Sequence, residues 1–381
     1  MDTNEARTSG ALARLALLLL TLLLLPACNP IYVVRAGWAQ ARILASREPL
    51  TEVMTDPAVD PATRASLRLV HDARLFAVER LGFQNAGDSY TSFAALPSDT
   101  LALVLSAAYR DRLEFRTWWF PITGRVPYRA YFSVEGGERA RDQLEREGFD
   151  TYLRPTAAFS TLGWFADPLY STLLRQNDVS LVETVLHELA HNHLYIGSRG
   201  TFNESFATFV GHAAAIEFFC GREGGGPATV KCARARDLWA DALDISRFIT
   251  ALEGRIRALY ALGARGEGLA SGADPGPPPG AVPGPLSDVG LDALLAERAE
   301  IYREARVEFL EQVQPGLRFA AYGFLATEPL NNATLLSRSL YFHRLPDFDA
   351  LWSRWEGDFA GLMAWMREEA PRRADPFQIL D

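Results

Sequence analysis

The sequence predicts a mostly helical α+β fold, and three observations carry that reading. From residue 179 onward, apolar side chains recur at helical spacing with few interruptions. Between about 100 and 165 that spacing gives way to a short apolar run, Leu101-Ala102-Leu103-Val104-Leu105, and to aromatic-rich segments of strand type, a small antiparallel sheet. A Pro/Gly-rich flexible loop at 266–288 then separates two long helical patterns, at 233–262 and 290–314, which can pair as a helical hairpin. At 381 residues and 48% hydrophobic content, the chain has ample material for a core.

Arg7 and Arg14 precede an eleven-residue stretch, Leu15 to Leu25, that is apolar except for Thr21. Spanning a bilayer takes about 20 residues, so this run fits the core of a secretory signal better than a membrane helix. Leu25-Pro26-Ala27-Cys28 resembles a bacterial lipobox, in which the cysteine after a small residue receives a diacylglycerol. Residues 1–27 are therefore expected to be a lipoprotein signal peptide, with lipidation at Cys28; a signal cleaved without lipid is the alternative. Residue 29 is Asn, not the Asp that resembles an inner-membrane retention signal, so the expected place is the outer membrane, facing the periplasm. Residues 28–381 then form a single domain. Its net charge of -9, with no lysine-rich run, argues against a nucleic-acid-binding surface.

Residues 31–50 and 62–82 read as helices, the second with Leu67, Val70, Ala73, Leu75, Phe76 and Leu81 on one broad face. Trp118-Trp119-Phe120-Pro121 and Tyr128-Arg129-Ala130-Tyr131-Phe132 flank Gly124 and Pro127, as in a hairpin. Glu138 to Glu147 is a charged helix, and 152–165 reads as extended. The expected sheet packs on the helix that begins after Asn177 or Asp178. From 346, Trp352, Trp355, Phe359, Met363 and Trp365 share the spacing of a core-facing helix. Cys220 and Cys232 flank Gly224-Gly225-Gly226-Pro227, and either a disulfide or two buried thiols fits that spacing; an oxidising envelope favours the bridge.

The sharpest signal is His187-Glu188-Leu189-Ala190-His191. On a helix, residues i and i+4 share a face, so two imidazoles can bind one Zn2+ while Glu188 reaches a metal-bound water as general base. With six histidines in the chain, a chance HExxH is on the order of a one-in-a-hundred event. Twelve residues further on, Phe202-Asn203-Glu204-Ser205-Phe206-Ala207 follows, with Gly197 and Gly200 allowing a turn between. Glu204, opening a second helix, is the expected third ligand. A His2Glu set with one open position is of the catalytic type. His193, His212, Glu217 and Glu183 are the other donors nearby. Thr208 and Asn203 are second-shell candidates, with Asn203 alternatively a helix cap. For the donor that steadies a developing oxyanion, Tyr341, Tyr195 and His343 remain open.

HELAH followed by NESFA resembles the gluzincin branch of zinc metallopeptidases. Together with Thr117-Trp118-Trp119-Phe120-Pro121, Val126-Pro127-Tyr128, the segment 160–165, Asp167-Pro168, the segment 202–211 and Asn331-Asn332-Ala333, it is similar to a family of bacterial lipoproteins known as putative aminopeptidases. That resemblance implies a gluzincin-like core, one zinc ion, a peptide substrate lying along an edge strand, here 156–165, and a carboxylate for the α-amine, for which Asp167 is a candidate. A zinc hydrolase of cell-wall peptides and a non-catalytic zinc-containing envelope lipoprotein are the competing readings.

Overall fold

The computed structural model describes residues 44–96, 100–120, 124–156, 167–221, 225–265, 288–319 and 322–381. The signal segment with Cys28, most of the first expected helix, the stretch 157–165 of the expected peptide-binding edge and the loop from 266 to 287 lie outside the described residues. Within them the fold is the mostly helical α+β arrangement that the sequence predicts. No described helix is long and apolar enough to cross a membrane.

Among the described residues, eight short strands make two three-stranded sheets and a hairpin. The first sheet orders β1 (Glu48–Pro49), β2 (Ser92–Ala94) and β8 (Leu169–Tyr170), with β2 and β8 parallel. The sequence reads helix through residue 50, but Glu48–Pro49 is extended. Proline has no N–H for a helix, and its ring pushes the preceding residue out of the helical region. The second sheet is antiparallel, in the order β6 (Tyr128–Tyr131), β3 (Ala102–Ala108), β7 (Asp150–Thr156), which leaves β7 at an edge. β4 (Trp118–Phe120) and β5 (Gly124–Val126) form the aromatic hairpin.

The helices follow their apolar spacing. α1 (Pro61–Leu75) is capped by Asp60, whose carboxylate accepts from Thr63 N at 2.9 Å, and runs into a π turn at Phe76–Arg80. α2 (Val134–Arg146) starts four residues before the expected charged segment. Ser133 caps it, and Gly137 lies flat on the sheet, where a Cβ would stand 3.1 Å from Leu103 Cδ1. Next come α3 (Asp178–His193), α4 (Gly200–Gly221), α5 (Val230–Arg265), α6 (Asp288–Glu308), α7 (Asn332–Phe342), α8 (Leu345–Ser353) and α9 (Phe359–Glu369). α5 and α6 pair as the hairpin, with Leu252, Ile256, Tyr302 and Ala305 buried and Arg255 bridging to Glu304 and Glu308 at the surface. The segment expected as one helix after 346 is two. Glu356 and Gly357 adopt left-handed φ of 46° and 91°, and Asp358 caps the new start by accepting from Gly361 N.

The antiparallel sheet packs chiefly on α2 and α7, not on α3 as the sequence suggests. α7 stands between, touching the sheet on one side and α4 and α5 on the other. Its N-terminus is pinned to β7 by buried polar bonds. Asn331 caps α7, accepting from Thr334 N, and its amide donates to Thr151 O. Asn332 N donates to Asp150 Oδ2 at 3.0 Å, and Asp150 also pairs with Arg298 at 2.7 Å and Arg110 at 3.2 Å. Tyr302 donates to Asn332 Oδ1. The Asn331, Asn332 and Asp150 side chains are each hydrogen-bonded here, so the junction fixes the register of α7 against the sheet edge.

Cys220 at the end of α4 and Cys232 in the first turn of α5 are joined as a disulfide, so the bridge and not the pair of free thiols is what forms. It closes a loop of sequence separation 12. On the chain-entropy account such a loop contributes about 3 kcal/mol. The double variant Cys220→Ser/Cys232→Ser is expected to lose stability of that order, measured as a shift in the urea midpoint at unchanged slope.

Candidate metal centre

α3 carries the HExxH segment through the middle of the core. Asn177 opens it, its side-chain oxygen accepting from Val179 N and Ser180 N at 3.2 Å each. From Leu181 to His193 the only side chains not buried are Glu183, Thr184, His187 and Glu188, two adjacent pairs one turn apart. Apolar packing thus covers the helix everywhere except one strip, and the chemistry-bearing residues stand on it.

α4 crosses the same strip. It begins at Gly200, four residues before Glu204; the turn before it, closed by Arg199 N donating to Ile196 O at 3.2 Å, runs through the expected Gly197 and through Ser198, which takes the left-handed φ of 60°. Asn203 neither caps the helix nor meets a ligand. Its amide accepts from Ile196 N at 2.9 Å and donates to Ile196 O at 2.8 Å, which clamps the link between the two helices. Thr208 is buried one turn beyond Glu204. The helices come close where Gly211 faces α3: a Cβ there would lie 2.9 Å from Glu183 O and 3.1 Å from His187 Cβ.

This approach brings Glu204 Oε2 to 3.5 Å from His191 Nε2 and 3.6 Å from His187 Nε2. Burial works to raise the Glu204 carboxyl's pKa, but the facing imidazoles outweigh it and hold it well below the usual carboxylate range. The three donor atoms lie within 4.8 Å of one another, so the group can hold a metal ion. Its dimensions fit one. Ligand bonds of about 2.0–2.2 Å in a tetrahedron place neighbouring donors about 3.3–3.6 Å apart, close to the separations seen here. Two imidazoles and a carboxylate are also a donor set that zinc takes in open sites.

Other expected residues divide sharply. Tyr341 belongs to the site: its ring stacks on that of His187 at 6.2 Å between centroids, and its hydroxyl accepts from Arg154 Nη2 at 3.2 Å. Burial, and then the Glu204 charge, raise its pKa well above the ordinary phenol value, while Arg154 opposes them. The end of α7 that carries Tyr341 is tied on both sides of it. Ser205 Oγ donates to Leu340 O at 2.8 Å and Ser246 Oγ to Phe342 O at 2.6 Å, which satisfies carbonyls that a helix end leaves open. Tyr195 is 47% exposed at the rim, within electrostatic reach of Glu204. His343 packs against Phe377 instead, and Glu217 is half-buried two turns past Thr208. His193 is structural: Gln84 N donates to its Nδ1 at 3.1 Å, its Nε2 meets Met363 O at 3.2 Å and Phe83 stacks on it.

Three residues at the site were given no role by sequence reasoning. Arg154 on β7 meets Tyr341 as described. Tyr128 on β6 lies within electrostatic reach of Glu204, Tyr341 and Tyr195; its place in Val126-Pro127-Tyr128 was the only signal. Tyr90 is buried with φ of 60°, a conformation costly for an aromatic residue, and its N–H donates to Asp167 O at 2.7 Å. Burial first, then Glu188 and Asp167, raise the Tyr90 phenol's pKa. Asp167 itself is 3% exposed.

Beneath the ligands, His212 Nε2 meets Glu183 Oε1 at 3.1 Å. Burial pushes the Glu183 carboxyl up to about 8; burial and the neighbouring His187 pull His212 down to about 3. Both groups therefore favour their neutral forms, an acid O–H donating to an imidazole nitrogen.

A model of the family described as "Putative aminopeptidase" matches residues 31–271 and 287–374. The interruption falls in the Pro/Gly-rich loop. No curated protein and no solved structure matches the chain significantly.

The Glu183–His212 pair sets a pH dependence. Folded, Glu183 keeps a proton that the unfolded chain releases above its ordinary 4.5, so stability falls as pH rises from there to about 8. His212 refuses a proton that the unfolded chain takes up below its ordinary 6.5, so stability falls as pH drops below that value. Glu183→Gln keeps a donor for His212 and removes the first effect. Its melting temperature is expected to hold between about pH 6.5 and 8 while that of the wild type declines; below 6.5 the His212 effect lowers the variant, whereas in the wild type the two effects oppose each other. Parallel declines in the two proteins would overturn the assignment.

Proposed function

The chain belongs to the putative aminopeptidase family, and from that premise we propose that it is a zinc-dependent peptidase, aminopeptidase-like, using a water activated at the His187, His191 and Glu204 site. Family membership supports peptidase activity in general. The observation that supports the finer reading is that the three donor atoms lie within 4.8 Å of one another, with Glu188 in electrostatic reach of His191.

A zinc ion held there supplies Lewis-acid polarisation of the scissile carbonyl and a water of lowered pKa. The chain's own groups do the rest. Glu188 follows His187 on the uncovered strip, within electrostatic reach of His191 and Tyr341, and takes the water's proton, later passing it to the leaving amine. The Tyr341 hydroxyl accepts from Arg154, so its own hydrogen is directed elsewhere and is free to donate to the oxyanion. Stacking on His187 holds that phenol beside the ligands. Tyr195, at the exposed rim, is a weaker candidate for the same task. Glu204 remains ionised against its burial because the imidazoles, or the ion, face it.

The purified protein is expected to carry one zinc per chain. Glu188→Gln keeps the zinc and loses about 10²–10⁴-fold in hydrolysis of an amide-substrate panel, while His191→Ala loses the metal. A Gln variant as active as wild type would defeat this mechanism. Comparing peptides with free and blocked N-termini separates exopeptidase from endopeptidase action.

The second part of the proposal concerns place. The apolar run followed by Ala27-Cys28 supports a lipid anchor in the outer membrane, facing the periplasm. Two acyl chains hold a protein firmly without any spanning helix. Cys28→Ser is expected to abolish palmitate labelling and release the protein from the membrane fraction; unchanged labelling would sink the anchor.

A further inference from the structure

Arg154 is a cation beside the candidate metal site, with no anion paired to it among the described residues. Along β7 successive side chains alternate between faces, so Tyr152 and Arg154 share one. Their circumstances differ. Around Tyr152 the positive charge is matched, Arg338 pairing with Glu328 at 2.9 Å. At the start of the strand Arg110 and Arg298 are matched by Asp150. Arg154 forms no ion pair among the described residues. Its guanidinium donates to the neutral Tyr341 hydroxyl at 3.2 Å and sits 5.8 Å from the ring centroid. The carboxylate within its electrostatic reach is Glu204, which already faces two imidazoles. Nor does the sequence offer a counterion just beyond the strand, since residues 157–166 contain no Asp or Glu.

A half-buried guanidinium that donates to one hydroxyl among the described residues is a receptor for a carboxylate, which it can engage in a two-pronged pair. Resting on the peptidase reading, we propose that Arg154 binds a carboxylate of the substrate on the leaving-group side of the scissile bond, so that the preferred substrates are short peptides ending in a free α-carboxylate. The spacing suits this. An anion on the outer N–H groups of Arg154 lies about 6–8 Å from an oxyanion held by Tyr341, the length of roughly two extended residues. Tyr128 and Tyr195, 42% and 47% exposed at the rim, offer apolar faces to the side chains between.

The test uses the full zinc-loaded protein with tri-alanine and its C-terminal amide. The KM of the amide is expected to exceed that of the free acid by about tenfold or more, with a smaller change in kcat. Arg154→Gln erases that ratio whatever it does to kcat, and Arg154→Lys retains part of it. A residue that merely supported Tyr341 would lower kcat for both peptides and leave the ratio standing, and that result overturns the proposal. So does a wild-type ratio near one. Ala-Asp-Ala-amide against Ala-Asn-Ala-amide separates the two sources of a carboxylate: a preference there, with none for the free C-terminus, overturns the α-carboxylate assignment. If neither tri-alanine peptide is hydrolysed, the peptidase reading fails by itself, and calorimetric binding of the same two peptides decides the point. Tighter binding of the free acid that Arg154→Gln removes upholds the proposal; equal binding refutes it.

Discussion

Glu204 is a carboxylate set in a helix whose neighbours are buried and almost wholly apolar, and the fold is arranged so that it can remain charged there. Burial alone would neutralise it. Two imidazoles from the adjacent helix face its oxygen, and they reach it only because the two helices touch at Gly211 with no side chain between them. That close approach is what α1, α5, α7 and the disulfide support from outside. The clamp of Asn203 on Ile196 serves the same end by fixing how the chain turns from one helix to the next.

The tyrosine side of the site depends on a second arrangement, at a distance. Tyr341 stands at the end of α7, and where that end falls is decided at the other end, by Asn331, Asn332 and Asp150. Among the described residues, the hydrogen bonds that pin them run between β7 and α7 or within α7, not to His187, His191 or Glu204. They position β7 against α7 so that Arg154 and Tyr341 meet, and Ser205 and Ser246 then close the open carbonyls beside the phenol. The Asn331-Asn332-Ala333 segment that marks the resemblance to the family is thus a joint rather than a piece of catalytic apparatus.

What was legible in the sequence follows from how local each feature is. His187 and His191 share a helix face by spacing alone, and Glu204 sits at a distance that one turn and one helix can return. The two helices of the hairpin and the mostly helical character were readable from periodicity. Arg154 was not, because its role depends on a strand edge meeting a helix nearly two hundred residues later in the chain. The left-handed backbone of Ser198 and Tyr90 was not, because neither residue type favours it and only tertiary packing imposes it. The sheet packs on α7 and not on α3, because apolar spacing shows that a helix has a buried face but not which element covers it.

The uncovered strip on α3 divides the molecule by tolerance to change. The three residues that could hold an ion stand on two helices locked in the core, where a single added methyl at Gly211 would collide with backbone. Everything that would meet a substrate beyond the reacting bond stands elsewhere: Tyr128 and Arg154 on strands, Tyr195 on a link. Selection can therefore alter what the protein accepts by altering the sheet and the link, and leave untouched the two helices that carry His187, His191 and Glu204.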